Sequence, residues 1–325
     1  MEIKYIDLFC GIGGFRFAAE QAFKKYSIKP HCVFSSDIDK YAREAYFANF
    51  GEYPAGDITK IDENDIPDHD VLFAGFPCQP FSIIGQKKGF EDTRGTLFFD
   101  IARILAAKKP KAFILENVKM LVGHDKGRTL KTILRVLREL GYFVDYRVLN
   151  ALDYGLPQKR ERVIIIGYYK PILFNWPQPY PKRLSLEDVL EKEVDKKYYV
   201  SERIREKRLK AHKSKYKVSI WHENKAGHIS SYDYSCALRA GASHNYLLVN
   251  GIRRLTPREM LRLQGFPESF KIVVSEAQTR KQAGNAVPVN MIKAVMESFL
   301  PYWIEEFFIY DTFKEKSEAL IAMQG

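Results

Sequence analysis

The sequence predicts an α/β protein: a mostly parallel β-sheet with helices on both faces, joined to a smaller, irregular second domain. Three observations carry this. Over residues 1–170, short apolar runs alternate with segments of helical period, the pattern of buried strands linked by crossover helices. Between residues 171 and 181 four prolines (Pro171, Pro177, Pro179, Pro181) break that pattern, as a linker does. From 182 to 217 the chain carries 13 Lys and Arg against 7 Asp and Glu, and 218–250 shows little helical period.

Taken in order, residues 3–9 read as a buried strand and 15–23 as a helix, and 31–36 with 40–50 repeat the pair. Residues 71–75 form a strand that leads into a glycine-dotted loop. The segment 96–107 places Leu97, Phe98, Ile101, Ile104 and Leu105 on one helical face. A strand over 111–115 precedes a helix over 129–140, with Gly141 placed to end it, and 163–167 is a further strand. Asn250-Gly251, between two apolar runs, supplies the positive φ angles of a type I′ hairpin turn. Thr256 as N-cap, Pro257 at the first helical position and Glu259 completing a capping box start another helix, which Gly265 closes. A final helical region spans 289–308, broken at Pro301. The chain thus divides at 1–181, 182–255, 256–281 and 282–325, the last segment returning to the large domain.

Apolar residues make up 46% of the 325 and charged ones 28%, the profile of a protein that buries a real core and is neither disordered nor fibrous. The formal charge is +11, which favours a polyanionic partner. No apolar run approaches the roughly 20 residues of a bilayer span, and the N-terminus enters a strand pattern with no signal-peptide anatomy. The four cysteines (Cys10, Cys32, Cys78, Cys236) form no CxxC pair. That argues against a disulfide framework or a cysteine-rich metal site and for a reducing cytosol.

Four short motifs carry chemistry. Phe9 to Phe15, FCGIGGF, joins a strand to a helix, and its glycines allow a tight turn and close ligand approach beside a helix N-terminus. The spacing is not that of the dinucleotide fingerprint. Asp37 and Asp39 after the second strand are placed to accept from ribose hydroxyls, and Asp57 falls near a strand end, so a nucleoside-containing cofactor is the economical reading. In GFPCQPFS, Cys78 stands on a turn fixed by Pro77 and Pro80. Only about 3% of an ordinary thiol is ionised at pH 7, so a nucleophilic role needs a nearby dipole or cation. Residues 79–95 hold three glycines with Lys87, Lys88 and Arg94, which describes a lid able to close over a polyanion. Glu116 in LENV is either a solvated strand-end residue or a positioned acid. Arg160 and Arg162 in QKRERV, two apart, project to one side of an extended chain. In an open parallel sheet ligands sit outside the carboxyl ends of the strands, and the glycine turn, Asp37, Asp57, Cys78 and Glu116 all fall there.

These residues resemble the DNA (cytosine-5)-methyltransferases, specifically the small bacterial modification enzymes of type II restriction systems. DLFCGIGGF, GFPCQPFSIIGQKKGFEDTRGTLFFD, ENV, NALDYGLPQKRERV, RRLTPREMLRLQGFP and QAGNAVPVN occur in the family's order and at similar spacings. The match covers nearly the whole chain outside about 170–252. The resemblance implies an S-adenosylmethionine-dependent methyltransferase fold for the large domain. It places Phe9, Gly11, Gly13, Gly14, Pro77 and Leu97 around the cofactor, Asp37 on its ribose, and Asp57 with Ile58 on its adenine. Asn285 and Ala286 complete that pocket. Ile38 stands where the family often has an aromatic residue, and Asp37 where a longer Glu is common.

For catalysis the resemblance implies that Cys78 attacks carbon 6 of a cytosine swung out of double-stranded DNA. Glu116 protonates ring nitrogen 3, Arg162 holds the 2-keto oxygen, and Arg160 supports the phosphate and the loop. Gln79, Ser82, Lys87, Lys88, Arg94, Arg239 and Arg253 are the expected DNA contacts, within or beside a target-recognition segment over 183–252 where His222, His228 and His244 are candidate readers. A monomer without a metal is expected, acting in the bacterial cytoplasm on the site of a cognate restriction endonuclease that it does not stably bind. A zinc deaminase is disfavoured because Cys78 has no CxxC partner. A transfer-RNA methyltransferase of the same family is disfavoured because the Cys-Phe-Thr triplet of that branch is absent. A nicotinamide oxidoreductase is disfavoured by the glycine spacing, and a non-catalytic DNA-binding protein by intact Cys78, Glu116 and Arg162.

Overall fold

The computed structural model describes residues 2–77, 97–224, 226–243 and 245–304. Cys78, Gln79, Ser82, Lys87, Lys88, Arg94 and His244 lie outside them, as does the chain beyond 304. The large domain runs β1 (Glu2–Leu8), α1 (Gly14–Lys24), β2 (Lys29–Ser36), α2 (Lys40–Phe50), β3 (Val71–Gly75), α3 (Leu97–Lys108), β4 (Ala112–Val118), α4 (Arg128–Glu139), β5 (Phe143–Asn150), β6 (Gln158–Lys159) and β7 (Glu161–Tyr168). After the proline-rich linker come α5 (Leu186–Val189), α6 (Glu202–Ala211), β8 (Ile220–Glu223), β9 (Ile229–Tyr232), β10 (Ser235–Cys236), β11 (Leu247–Val249) and β12 (Arg253–Arg254). Helices α7 (Pro257–Leu263), α8 (Glu276–Asn285) and α9 (Val289–Ile304) follow.

Six strands form the main sheet in the order β2-β1-β3-β4-β7-β5. The pairs β1·β2, β1·β3 and β3·β4 are parallel. Strand β7 alone runs against its neighbours, antiparallel to both β4 and β5. The sheet is therefore mostly parallel as the sequence predicts, with one inversion that periodicity cannot reveal. Alternation along the strands divides the core. Tyr5, Phe73, Ile114 and Ile164 face a cluster holding Phe15 and Phe23 of α1 and Phe299 of α9. Ile6, Leu72, Phe113 and Val163 face the cluster formed with α3 and α4.

The second sheet is antiparallel, β12-β11-β8-β9, and its Ile220, Leu247 and Val249 join the first of those clusters. Its hairpin turns at Asn250 (φ 49°) and Gly251 (φ 74°), as a type I′ turn requires. The Thr256–Glu259 capping box forms at the start of α7.

Helix α9 does not break at Pro301. A proline there removes the N–H that would bond the Glu297 carbonyl one turn earlier. The hydroxyl of Tyr26 donates to that carbonyl at 3.3 Å, which satisfies the freed acceptor and docks α9 on the large domain.

In the middle of this fold Asp7 of β1 is fully buried, and neither carboxyl oxygen has a partner among the described residues. Burial pushes its pKa well above the ordinary carboxylate range; Arg16 opposes the shift and Asp37 adds to it. The folded chain therefore holds a proton that the unfolded chain releases. The contribution of Asp7 to stability falls as pH rises from the unfolded value near 4 toward the raised one, by about 1.4 kcal/mol per pH unit within that window. Asp7→Asn is expected to flatten this slope. Thermal unfolding followed between pH 5 and 8 checks it, and identical slopes for the two proteins would rule the buried proton out.

Candidate active site

The carboxyl ends of β1, β3 and β4 open on a cleft of about 440 Å³. The inversion of β7 brings its first residues to the same edge, so a motif that precedes its strand meets motifs that follow theirs. Glu116 of β4 pairs with Ile164, and Arg162, two residues along β7, is its diagonal neighbour on the same face.

Arg162 Nε lies 2.8 Å from Glu116 Oε1. The acid is buried at 7% exposure, so the solvated reading of Glu116 gives way to the positioned one. Burial raises its pKa, and Arg162 and then Arg160 pull it back. The carboxyl is thus balanced between a medium that favours the proton and cations that favour its loss, which suits an acid that must both give and regain a proton. Asn117, buried beside it, donates to the Phe76 carbonyl at 2.9 Å and accepts from the Val118 N–H at 2.8 Å. That bond ties the end of β4 to the backbone two residues before Cys78. Asn117 was legible only as the letter after Glu116, because a buried amide that bonds backbone leaves no periodic trace.

Arg160 lies deeper than a charged run in the sequence suggests. It is buried at 1% exposure and donates to the carbonyls of Leu238 at 2.9 Å, Gly284 at 2.9 Å and Ala286 at 2.8 Å. These acceptors compensate a burial that works against its charge. Its guanidinium joins three chain segments from within the fold, where Arg160 also borders the cleft. Gln158 reinforces the junction, accepting from Leu238 N–H at 3.1 Å and donating to the Leu263 carbonyl at 2.8 Å.

On the other side of the cleft, Phe9, Gly11 and Gly14 form one wall. Phe9 and Gly11 are left-handed, at φ 55° and 54°, and a bulky residue adopts that conformation only where its surroundings impose it. Gly13 does not line the cleft. Its φ of 83° makes it the left-handed N-cap of α1, and a side chain there would run into the Phe50 ring, so its role is conformational.

Asp37 accepts from Gly11 N–H and Asp39 N–H, both at 2.8 Å, which fixes it at the cleft floor. Asp39 caps α2 and takes Lys281 at 2.6 Å, so it serves the fold. Asp57 and buried Ile58 border the cleft beside Ile38, which is 74% exposed. Pro77, Leu97, Asn285 and Ala286 complete the lining. Lys281, Gln282 and Val287 also line it, and sequence reading had not singled them out.

The two expected DNA contacts within the described residues part company. Arg239 is exposed, its guanidinium 4.8 Å over the Tyr246 ring. Arg253 is buried and donates to both oxygens of Glu259, at 2.9 and 2.7 Å; it braces the hairpin against α7 and is no surface contact. His222 stands edge-on to Tyr246 in the second sheet, and His228 lies exposed in the β8–β9 connection. Among the described residues no cluster of His, Cys, Asp and Glu is arranged to hold a metal, and no helix is long and apolar enough to cross a membrane.

Comparison with known proteins finds relatives along almost the whole chain. A type II methyltransferase of Neisseria gonorrhoeae, M.NgoBI, is 57% identical over 294 residues, covering 90% of this chain and 91% of that protein. M.HaeII, a type II methyltransferase of Haemophilus aegyptius, is 54% identical over 302 residues, covering 92% and 93%. The fold matches that of a Spodoptera frugiperda DNMT2 mutant with a TM-score of 0.72 at 20% identity, over 92% of this chain and 99% of that one. Residues 3–300 match the model of the C-5 cytosine-specific DNA methylases, and with relatives this close along almost its full length the chain belongs to that family.

Proposed function

We propose that this protein is the modification enzyme of a type II restriction system. In this reading it methylates carbon 5 of a cytosine swung out of duplex DNA, through a transient covalent bond to Cys78. The observation that carries the reading is the Glu116–Arg162 pair, opening on the same cleft as the glycine turn and as Pro77, the residue before Cys78.

The cleft suits S-adenosylmethionine. Its glycine wall admits close approach of a ligand to the backbone, and Gly11 has open space where a side chain would stand. Asp37 keeps acceptor capacity for ribose hydroxyls, while Ile38 and Ile58 offer apolar surface for an adenine ring. Asn285 and Ala286 close the far side. When bound, the cofactor supplies an electrophilic sulfonium methyl group.

Carbon 5 of cytosine is too weak a nucleophile to take that methyl unaided. Addition of the Cys78 thiolate to carbon 6 shifts electron density onto carbon 5 and ring nitrogen 3. Glu116 delivers its proton to nitrogen 3 as that charge develops, and Arg162 donates to the 2-keto oxygen. After methylation a solvent base takes the carbon 5 proton, its electron pair forms the 5,6 double bond as the sulfur–carbon bond breaks to return the Cys78 thiolate, and ring nitrogen 3 gives its proton back to Glu116. Arg160 acts at one remove, holding the Leu238, Gly284 and Ala286 carbonyls around this site. Extruding the base costs a few kcal/mol, which contacts from residues 79–95 and from the basic segment 182–255 offset. That segment would select the sequence, with His222 and His228 as candidate readers. The protein would act as a monomer, and the partner endonuclease would share its DNA site without binding it stably.

A duplex carrying 5-fluorocytosine at the target cannot release the carbon 5 substituent as a proton. It is expected to trap a DNA–protein adduct that peptide mapping places on Cys78. A trapped adduct on another residue would remove Cys78 from the mechanism, and turnover without trapping would overturn the covalent route.

A further inference from the structure

We infer that Arg239 reads a guanine within the target sequence through its major-groove edge and so helps decide which cytosine is methylated. This rests on the proposed function and adds to it a specific residue and base. The guanidinium of Arg239 stands 4.8 Å over the Tyr246 ring, and no carboxylate pairs with it among the described residues. The platform is itself fixed. The Tyr246 hydroxyl accepts from the Arg239 N–H at 3.0 Å and donates to the Ala237 carbonyl at 3.2 Å, and the ring meets His222 edge-on with centroids 6.3 Å apart.

The backbone that presents Arg239 is held as firmly. Leu238, one residue before, has its N–H on Gln158 and its carbonyl on Arg160. The Arg239–Ala240 peptide packs on Gly284 so closely that any side chain at 284 would overlap it. Arg239 is therefore exposed with its chain fixed on both sides and its guanidinium held over an aromatic ring. A phosphate accepts from any cationic donor, a lone ammonium included. The O6/N7 edge of guanine takes two coplanar donors at a fixed angle, and a guanidinium already placed over a ring offers them at a smaller cost in ordering.

The test begins with bisulfite sequencing of a plasmid methylated by the wild-type protein, which defines the site; no methylated cytosine at all would remove the proposed function itself. Each guanine of the site is then replaced in turn by 7-deazaguanine, which keeps base pairing and removes N7. For the wild type one replacement is expected to lower kcat/KM about tenfold or more. Arg239→Gln is expected to lower kcat/KM on the unmodified site and to be indifferent, within twofold, to that same replacement, with Arg239→Lys between the two. Thermal unfolding of both variants confirms folding. If Arg239→Gln weakens all duplexes alike, keeps the 7-deazaguanine penalty and lowers the salt slope of binding by about one, the side chain contacts phosphate and the inference fails. It fails equally if no guanine replacement costs the wild type more than twofold, a result that needs no variant.

Discussion

Glu116→Gln is expected to lower kcat by about 10²- to 10⁴-fold while DNA and cofactor affinities stay within a few fold. The amide keeps the shape of the side chain and can still donate a hydrogen bond, but it lacks the acidic proton that the proposed mechanism delivers to ring nitrogen 3. The pH profile separates this from a packing effect. Burial raises the pKa of Glu116 against the pull of Arg162 and Arg160. The protonated form declines as pH climbs through that raised value, and the wild-type rate should decline with it. In the variant this Glu116 limb should vanish. Single-turnover methylation of a target duplex across pH 5.5 to 9 checks both. A variant within tenfold of wild type, with an unchanged profile, would take the acid role away from Glu116.

The second large effect concerns stability. Arg253 and Glu259 form a two-pronged ion pair with side-chain exposures of 8% and 0%. Glu259 also accepts from the Glu191 and Thr256 N–H groups, so one carboxylate ties the hairpin, α7 and the end of α5 together. Arg253→Ala leaves that charge buried without its cation, a loss of about 3–5 kcal/mol. Adding Glu259→Gln removes the stranded charge, so the double variant should recover part of the loss; coupled neighbours do not add. Denaturant unfolding of the two single variants and the double variant gives the coupling directly. Strict additivity, or a loss below about 1 kcal/mol, would show that the pair is not what holds the hairpin down.

The sequence carried much of this architecture, for reasons that are local. Residues 40–50 and 71–75 were bounded correctly because capping and apolar runs mark their ends. The glycine turn, the acids at strand ends and Glu116 could be placed on one edge because parallel strands share a direction. What stayed hidden is tertiary. The strand Phe143–Asn150 was missed because FVDYRVLN mixes exposed and buried positions, as an edge strand does. The continuity of α9 through Pro301 depends on a tyrosine hydroxyl more than 270 residues away. Arg160 and Arg253 looked like surface cations because basic residues usually are, and the carbonyls and the carboxylate that draw them inside belong to distant segments.

Inversion of one strand also decides how rigidly the chemistry is mounted. Hydrogen-bonded neighbours flank β7 on both sides, so Arg162 rides on a beam clamped along its length. Its partner Glu116 sits on the adjoining beam. The distance between the acid and the guanidinium is thereby set by the spacing of the sheet ladder, fixed when the polypeptide folds.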